Sequence, residues 1–138
     1  MERRPGNPYL CGLDAAVDVV GGKWKPMILW ALDAAGVLRF GELRRHVDGV
    51  SEKVLIQQVR ELEADGIVRR EVYREVPPRV EYSLTELGQE LNTALAPLGR
   101  WGHDHMDVIV ANKQNNQKKQ NNQKKEHQGE AAAKSVAV

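Results

Sequence analysis

Between residues 51 and 65 apolar side chains return at Leu55, Val59 and Leu62, the i, i+4, i+7 spacing of one buried helix stripe. Ser51 has the chemistry of a helix N-cap, and Asp65-Gly66 stops the helix. The period then changes. Residues 67–74 and 80–84 alternate in the strand manner, with Val76-Pro77-Pro78-Arg79 as the tip between them. Two prolines cannot donate to a ladder, so the tip lies outside the sheet. An amphipathic helix feeding directly into a hairpin with a basic tip is the reading unit of a winged helix-turn-helix. There the helix enters the DNA major groove and the hairpin reaches a neighbouring groove or the backbone.

The upstream pattern supports that unit. A short helix is predicted over 13–20, with Asp14 near its start and Gly21-Gly22 closing it. Residues 24–35 make the next, with Pro26 in the first turn, where a missing N–H costs little. Met27, Ile28, Trp30, Ala31 and Leu32 give it a wide apolar face. Residues 37–40 read as a short strand or an extended lead-in. A third helix over 40–47 places Phe40, Leu43 and Val47 on one side, before the turn signal Asp48-Gly49. Thr85 caps the last helix and Glu86 suits its positive end. Leu87, Leu91, Leu95 and Leu98 continue at helical spacing, and Pro97 with Gly99 is expected to bend or break the helix before Trp101. The fold class is mainly α with a small β-hairpin wing.

Three segments follow from the composition along the chain. Residues 1–12 are a Pro- and Gly-rich N-terminal arm, 13–111 the winged helix-turn-helix domain, and 112–138 a polar low-complexity tail. In that tail QNNQKK occurs at 114–119 and again at 120–125. It has almost nothing to bury, so it is expected to be disordered or a marginally helical, solvated extension. Its lysines would add at most weak non-specific DNA affinity.

A chain of 138 residues with 41% apolar content suits one domain with a real core. The formal net charge of +1 decides nothing, because a nucleic-acid binder needs its cations clustered on one face. The single cysteine, Cys11, excludes an intramolecular disulfide and leaves one between two chains open. No apolar segment follows the N-terminal arginines as in a signal peptide, and no run approaches the ~20 apolar residues of a membrane span. The expectation is a soluble, cytoplasmic protein. No Gly-rich phosphate loop, paired carboxylate motif or suggestive His spacing is present, so neither an enzyme nor a cofactor is expected, a thiol enzyme built on Cys11 included.

Candidate DNA contacts can be read from exposed positions. Ser51, Lys53, Gln57 and Arg60 share the free face of the 51–65 helix. Gln pairs with adenine edges, and Arg or Lys with guanine edges or phosphates. The plainer alternative is an ordinary solvated face, which Glu52, Glu61 and Glu63 also decorate; Glu63 has Arg69 and Arg70 as local partners. Arg79, beside the rigid prolines, suits a minor groove, or else pairs with Glu75 or Glu81; Arg74 is a second wing candidate. Arg39, Arg44 and Arg45 flank the supporting helix and suit phosphates, which position without specifying. A winged-helix module using the same face for protein contacts is the rival reading. His103 and His105 stand two apart on a helix and point away from each other, which disfavours a metal site. Trp24, Trp30 and Trp101 read as core or interface residues.

Read together, Gly21-Gly22-Lys23-Trp24, Arg39-Phe40-Gly41-Glu42-Leu43, Leu62-Glu63-Ala64-Asp65-Gly66-Ile67-Val68 and Val76-Pro77-Pro78-Arg79-Val80-Glu81-Tyr82-Ser83-Leu84-Thr85 closely resemble the HxlR family of bacterial transcriptional regulators, which is similar to the MarR-type winged-helix proteins. The resemblance runs from about Cys11 to Trp101. It implies a homodimer, joined through N- and C-terminal helices, that binds a roughly palindromic double-stranded operator, most simply as a repressor. In some members an early cysteine senses oxidants or electrophiles by linking two subunits. For Cys11 that role stands beside packing against the dimer partner, and Arg3, Arg4 and Lys23 are the cations that would sharpen its reactivity by approaching it. A small-molecule effector held between the dimerisation helices and the wing domain is a further mode of control. Two departures stand out. Ile56 occupies a position where members often carry a small hydroxyl residue, and Cys11 precedes Gly12 rather than proline.

Overall fold

The computed structural model describes residues 5–136, in two compact units that meet at Ala96 and Pro97. In the first unit, α1 (Gly12–Val20) and α2 (Trp24–Ala35) lead into β1 (Val37–Arg39), α3 (Phe40–His46) and α4 (Glu52–Ala64). Then come β2 (Val68–Tyr73), β3 (Arg79–Leu84) and the start of α5 (Glu86–Asp104). The second unit holds the end of α5 and all of α6 (Met106–Val136).

The core gathers the apolar stripes of successive helices. Ile28, Leu29 and Leu32 of α2, Leu43 of α3, and Leu55 and Leu62 of α4 are fully enclosed, with Leu38 of β1 and Val68 of β2 closing the sheet side. Trp24 packs on this cluster, whereas Trp30 and Trp101 are exposed. Val47 and Val50, buried on either side of the α3–α4 turn, fix the angle between the two helices. Gly49 makes that turn at φ +87°, a backbone region that an L side chain rarely adopts.

The wing is a three-stranded antiparallel sheet in the order β1-β3-β2. The extended lead-in is a true strand: Val37, Leu38 and Arg39 pair with Ser83, Tyr82 and Glu81. It ties the segment before α3 to the hairpin that follows α4, so the sheet joins the chain on both sides of the α3–α4 pair. The hairpin register runs from Val68↔Leu84 to Tyr73↔Arg79. Arg79 therefore belongs to the ladder, and the tip comprises residues 74–78.

Two further features differ in detail from the sequence expectation. Helix α5 continues through Pro97 to Asp104, and the interruption falls at His105. Pro97 leaves the carbonyl of Thr93 without its helical partner, but Thr93 is exposed and water can supply the missing hydrogen bond. The tail carries helix α6 through both QNNQKK repeats, a solvated extension exposed along almost its whole length. At the other end the arm is pinned to α1. The Tyr9 phenol donates to Asp18 Oδ2 at 2.5 Å and the Leu10 amide to Asp14 Oδ2 at 2.9 Å, and the carboxylate raises the Tyr9 pKa.

One joint holds α4, the wing and α5 together. The Thr85 hydroxyl accepts from the Gly88 amide at 3.0 Å, capping α5, and donates to the Gly66 carbonyl at 2.6 Å. The Thr85 amide donates to the Ile67 carbonyl at 3.0 Å. Gly88 is buried against that carbonyl, and a Cβ there would stand 2.2 Å from the Ile67 oxygen. Gly88→Ala must push backbone away from backbone. It is expected to destabilise the fold by at least about 1–3 kcal/mol in urea unfolding; an unchanged midpoint would show that the joint yields freely.

Candidate nucleic-acid interface

Helix α4 begins where Ser51 Oγ accepts from the Val54 amide at 3.2 Å. With Leu55, Val59 and Leu62 buried, its opposite side must face out, and Lys53, Gln57 and Arg60 are exposed there at i, i+4, i+7. The partly buried Ile56 lines the same shallow groove, together with Glu52 and Glu61. Cations for phosphates and an amide for a base edge are thus brought onto one face. Ser51 is engaged as the cap, and its hydroxyl proton stays available to an acceptor.

The supporting arginines separate. Arg44 reaches across to Glu52 in the first turn of α4, at 3.5 Å, an exposed pair worth little by itself. Arg39 and Arg45 line a second depression with Gly41 and Glu42. The carboxylate of Glu42 accepts from the Arg39 amide at 3.1 Å and fixes the start of α3. A third crevice, between α4 and the sheet, is lined by Arg60 and Arg70 with Glu52 and Glu63, over Phe40, Ile56, Val59 and Tyr82. Arg70 joins the cation set here. Its signal in the sequence was its alternation with Val68 and Val72, which places it on the face of the sheet toward α4.

The wing requires a correction. Arg79 was expected at the tip, free to enter a groove. Its guanidinium instead lies 3.3 Å from Glu75 and 3.5 Å from Glu81, and 4.1 Å from the centre of the Tyr73 ring. The plainer expectation, pairing with Glu75 or Glu81, describes its place. The cause is register: β3 begins one residue earlier than the alternation suggested, with Arg79 opposite Tyr73, and this draws Arg79 onto the outer sheet face. Burial raises the pKa of Tyr73 beneath it, and the negative charge of Glu71 adds to the shift. Arg74 at the tip is exposed and has no ion-pair partner among the described residues.

Beneath α4 lies a pair that sequence reasoning missed. Lys25 of α2 is buried, with Nζ 2.7 Å from Glu61 Oε2. It stands in register with Ile28, Leu29 and Leu32, so the apolar stripe itself carried the signal. Cys11 is half-buried at the N-cap of α1, while Arg3 and Arg4 lie outside the described residues. The imidazole of His105 donates to the Trp101 carbonyl at 2.8 Å and stacks on the Trp101 ring. No helix among the described residues is long and apolar enough to cross a membrane.

A helix-turn-helix that leaves an amide and two cations on the free face of its second helix, backed by a three-stranded wing, defines a winged-helix DNA-binding protein. Residues 19–110 match the HxlR-like helix-turn-helix family, and the chain belongs to that family of DNA-binding transcriptional regulators. It is 44% identical over 105 residues to the uncharacterized HTH-type transcriptional regulator YybR of Bacillus subtilis strain 168, covering 76% of this chain and 83% of the relative. The redox regulator HypR in its reduced form superimposes with a TM-score of 0.68 at 44% identity, covering 73% of this chain and 99% of that one. Diamide-treated YodB from Bacillus subtilis gives 0.60 at 31% identity, over 69% and 94% of the two chains.

The Lys25 hydrogen bond and charge hold the Glu61 carboxyl below its usual 4.5. A carboxylate with a lowered folded-state pKa contributes stability that is complete above 4.5 and is lost as pH falls through the folded value. Urea unfolding of wild type and Lys25→Met should differ by a constant amount near neutrality, and that difference should shrink as pH drops below 4.5. A difference independent of pH would remove the pair from the acid limb.

Proposed function

We propose that the chain is a homodimeric, cytoplasmic repressor that reads a palindromic operator and acts by binding rather than turnover. The observation that carries this reading is the face of α4, where Lys53, Gln57 and Arg60 stand clear of the core while Leu55, Val59 and Leu62 anchor it. In the complex Gln57 meets a base edge, and Lys53 and Arg60 meet bases or phosphates. Ser51, Arg39, Arg44 and Arg45 hold the backbone, and Arg74 takes the wing contact first expected of Arg79. The apolar side chains of Leu13 and Val17 on α1, of Leu98 and Trp101 on α5, and of Val108 and Val110 on α6 are exposed and suit burial against a second copy. A two-fold dimer then requires half-sites separated by whole turns of about 10–10.5 bp.

Control passes through Cys11 in this reading, by analogy with the redox regulator HypR. Two Cys11 thiols from two protomers lose two protons and two electrons to an oxidant such as diamide and form a disulfide. A small effector at the dimer interface is the alternative route to the same switch, and either works only by favouring one dimer shape over the other.

Anisotropy titrations against the DNA upstream of its own gene test the contacts. Arg74→Ala is expected to weaken binding and to reduce the slope of log affinity against log salt by about 1. An unchanged slope removes the wing from the phosphates, and a salt-insensitive wild type favours a protein-contact module. Diamide is expected to release wild type from DNA and to leave Cys11→Ser bound. Equal behaviour of the two demotes Cys11 to packing.

A further inference from the structure

Lys25 is the one buried charged residue among the described residues. It stands in the first turn of α2, at the end of the helix dipole where a cation is least favoured, and on a stripe otherwise apolar. Desolvating an ammonium often costs more than its pairing returns, and an apolar pair of similar volume is frequently as stable. Core stability alone gives no reason for a lysine here. The reason lies in what it holds. Glu61 receives Lys25 Nζ on Oε2 at 2.7 Å, and its other oxygen, Oε1, accepts from Gln57 Nε2 at 3.4 Å. The Glu61 side chain is 43% exposed, so this carboxylate straddles the line between core and reading face.

We propose that Lys25 and Glu61 form a positioning relay that presents Gln57 for base recognition, so that a residue DNA cannot touch helps to set sequence preference. The inference rests on α4 being the reading helix. A primary amide can turn over and exchange its donor and acceptor ends. Engaging Nε2 with Glu61 selects one of those two postures and leaves Oε1 and the second N–H free to face outward. Adenine presents a matching N6–H donor and N7 acceptor in the major groove. The buried ammonium has a second effect. Alone, Glu61 would repel phosphates; paired with Lys25, it sits on a DNA-facing helix without net charge. Lys25 and Glu61 are thus positioning residues, and Gln57 is the group that meets the base.

The test begins with selection from a random-core duplex library, followed by anisotropy titration of the selected duplex and of its single-base-pair variants. Lys25→Met and the neutral pair Lys25→Met/Glu61→Leu are expected to lose discrimination by roughly fivefold or more at one base pair per half-site, the same one affected by Gln57→Ala. In the neutral pair the salt slope should stay as in wild type, because no phosphate contact is removed and no charge is left unpaired. In a Gln57→Ala background the neutral pair should cost no further discrimination, the signature of residues acting as one unit. The neutral pair carries the test if Lys25→Met alone fails to fold. Discrimination retained in the neutral pair, a loss spread evenly over the site, or effects that add to those of Gln57→Ala would each overturn the relay while leaving α4 as the reading helix. A wild type that selects no sequence would overturn that reading itself, and the relay with it.

Discussion

Leu55, Val59 and Leu62 lie along one side of α4, enclosed with Ile28, Leu29, Leu32 and Leu43 of the neighbouring helices. A helix packed this way has a single rotational setting, because a turn of 100° about its axis would pull a leucine into water. Once that setting is fixed, the outward residues follow without further choice. Lys53, Gln57 and Arg60 are presented because their neighbours are buried, and the turn at Gly49 and the joint at Gly88 hold the helix at one angle to its supports. The outward face of α4, proposed to read DNA, is in this sense a by-product of the core.

Charge is organised on the same principle. A net charge of +1 conceals a division between cations that face solvent freely and cations already satisfied within the fold. On the outer face of the sheet Arg69 pairs with Glu71, and Arg79 is held by Glu75, Glu81 and the Tyr73 ring. That surface balances itself. On α4 and the sheet face toward it, Lys53, Arg60 and Arg70 have no ion-pair partner among the described residues. These free cations line the crevice and the helix face, where Glu52, Glu61 and Glu63 stand among them.

The helices were largely legible in the sequence, because each carries an apolar stripe whose period survives without tertiary help, as with Leu55, Val59 and Leu62. The hairpin was legible from its alternation and its prolines. What escaped was set by contacts distant along the chain. Three residues before α3 gave no sign that Ser83, Tyr82 and Glu81 would complete their strand, and the ladder took in Arg79 because Tyr73 was available opposite it. Pro97 marks a helix end by local rules, yet an exposed helix can lose one hydrogen bond to water and continue. Lys25 was written in plain view on an apolar stripe, but its partner Glu61 lies in another helix. For the site, residue types on the free face of α4 were readable; which of them are already held by a neighbour was not.

The self-balanced outer face of the wing bears on the timing of the proposed complex. Long-range attraction to DNA depends on charges that are unpaired in the free protein, and among the described residues these include Lys53 and Arg60 on α4, Arg70, and Arg74 at the tip. The paired arginine of the wing adds little to that pull. It instead keeps the hairpin in one shape before DNA arrives, so less ordering remains to be done on docking. In the proposed complex the cations of the helix face would bear on how fast the two molecules find each other, and the stiffened wing on how long they stay together.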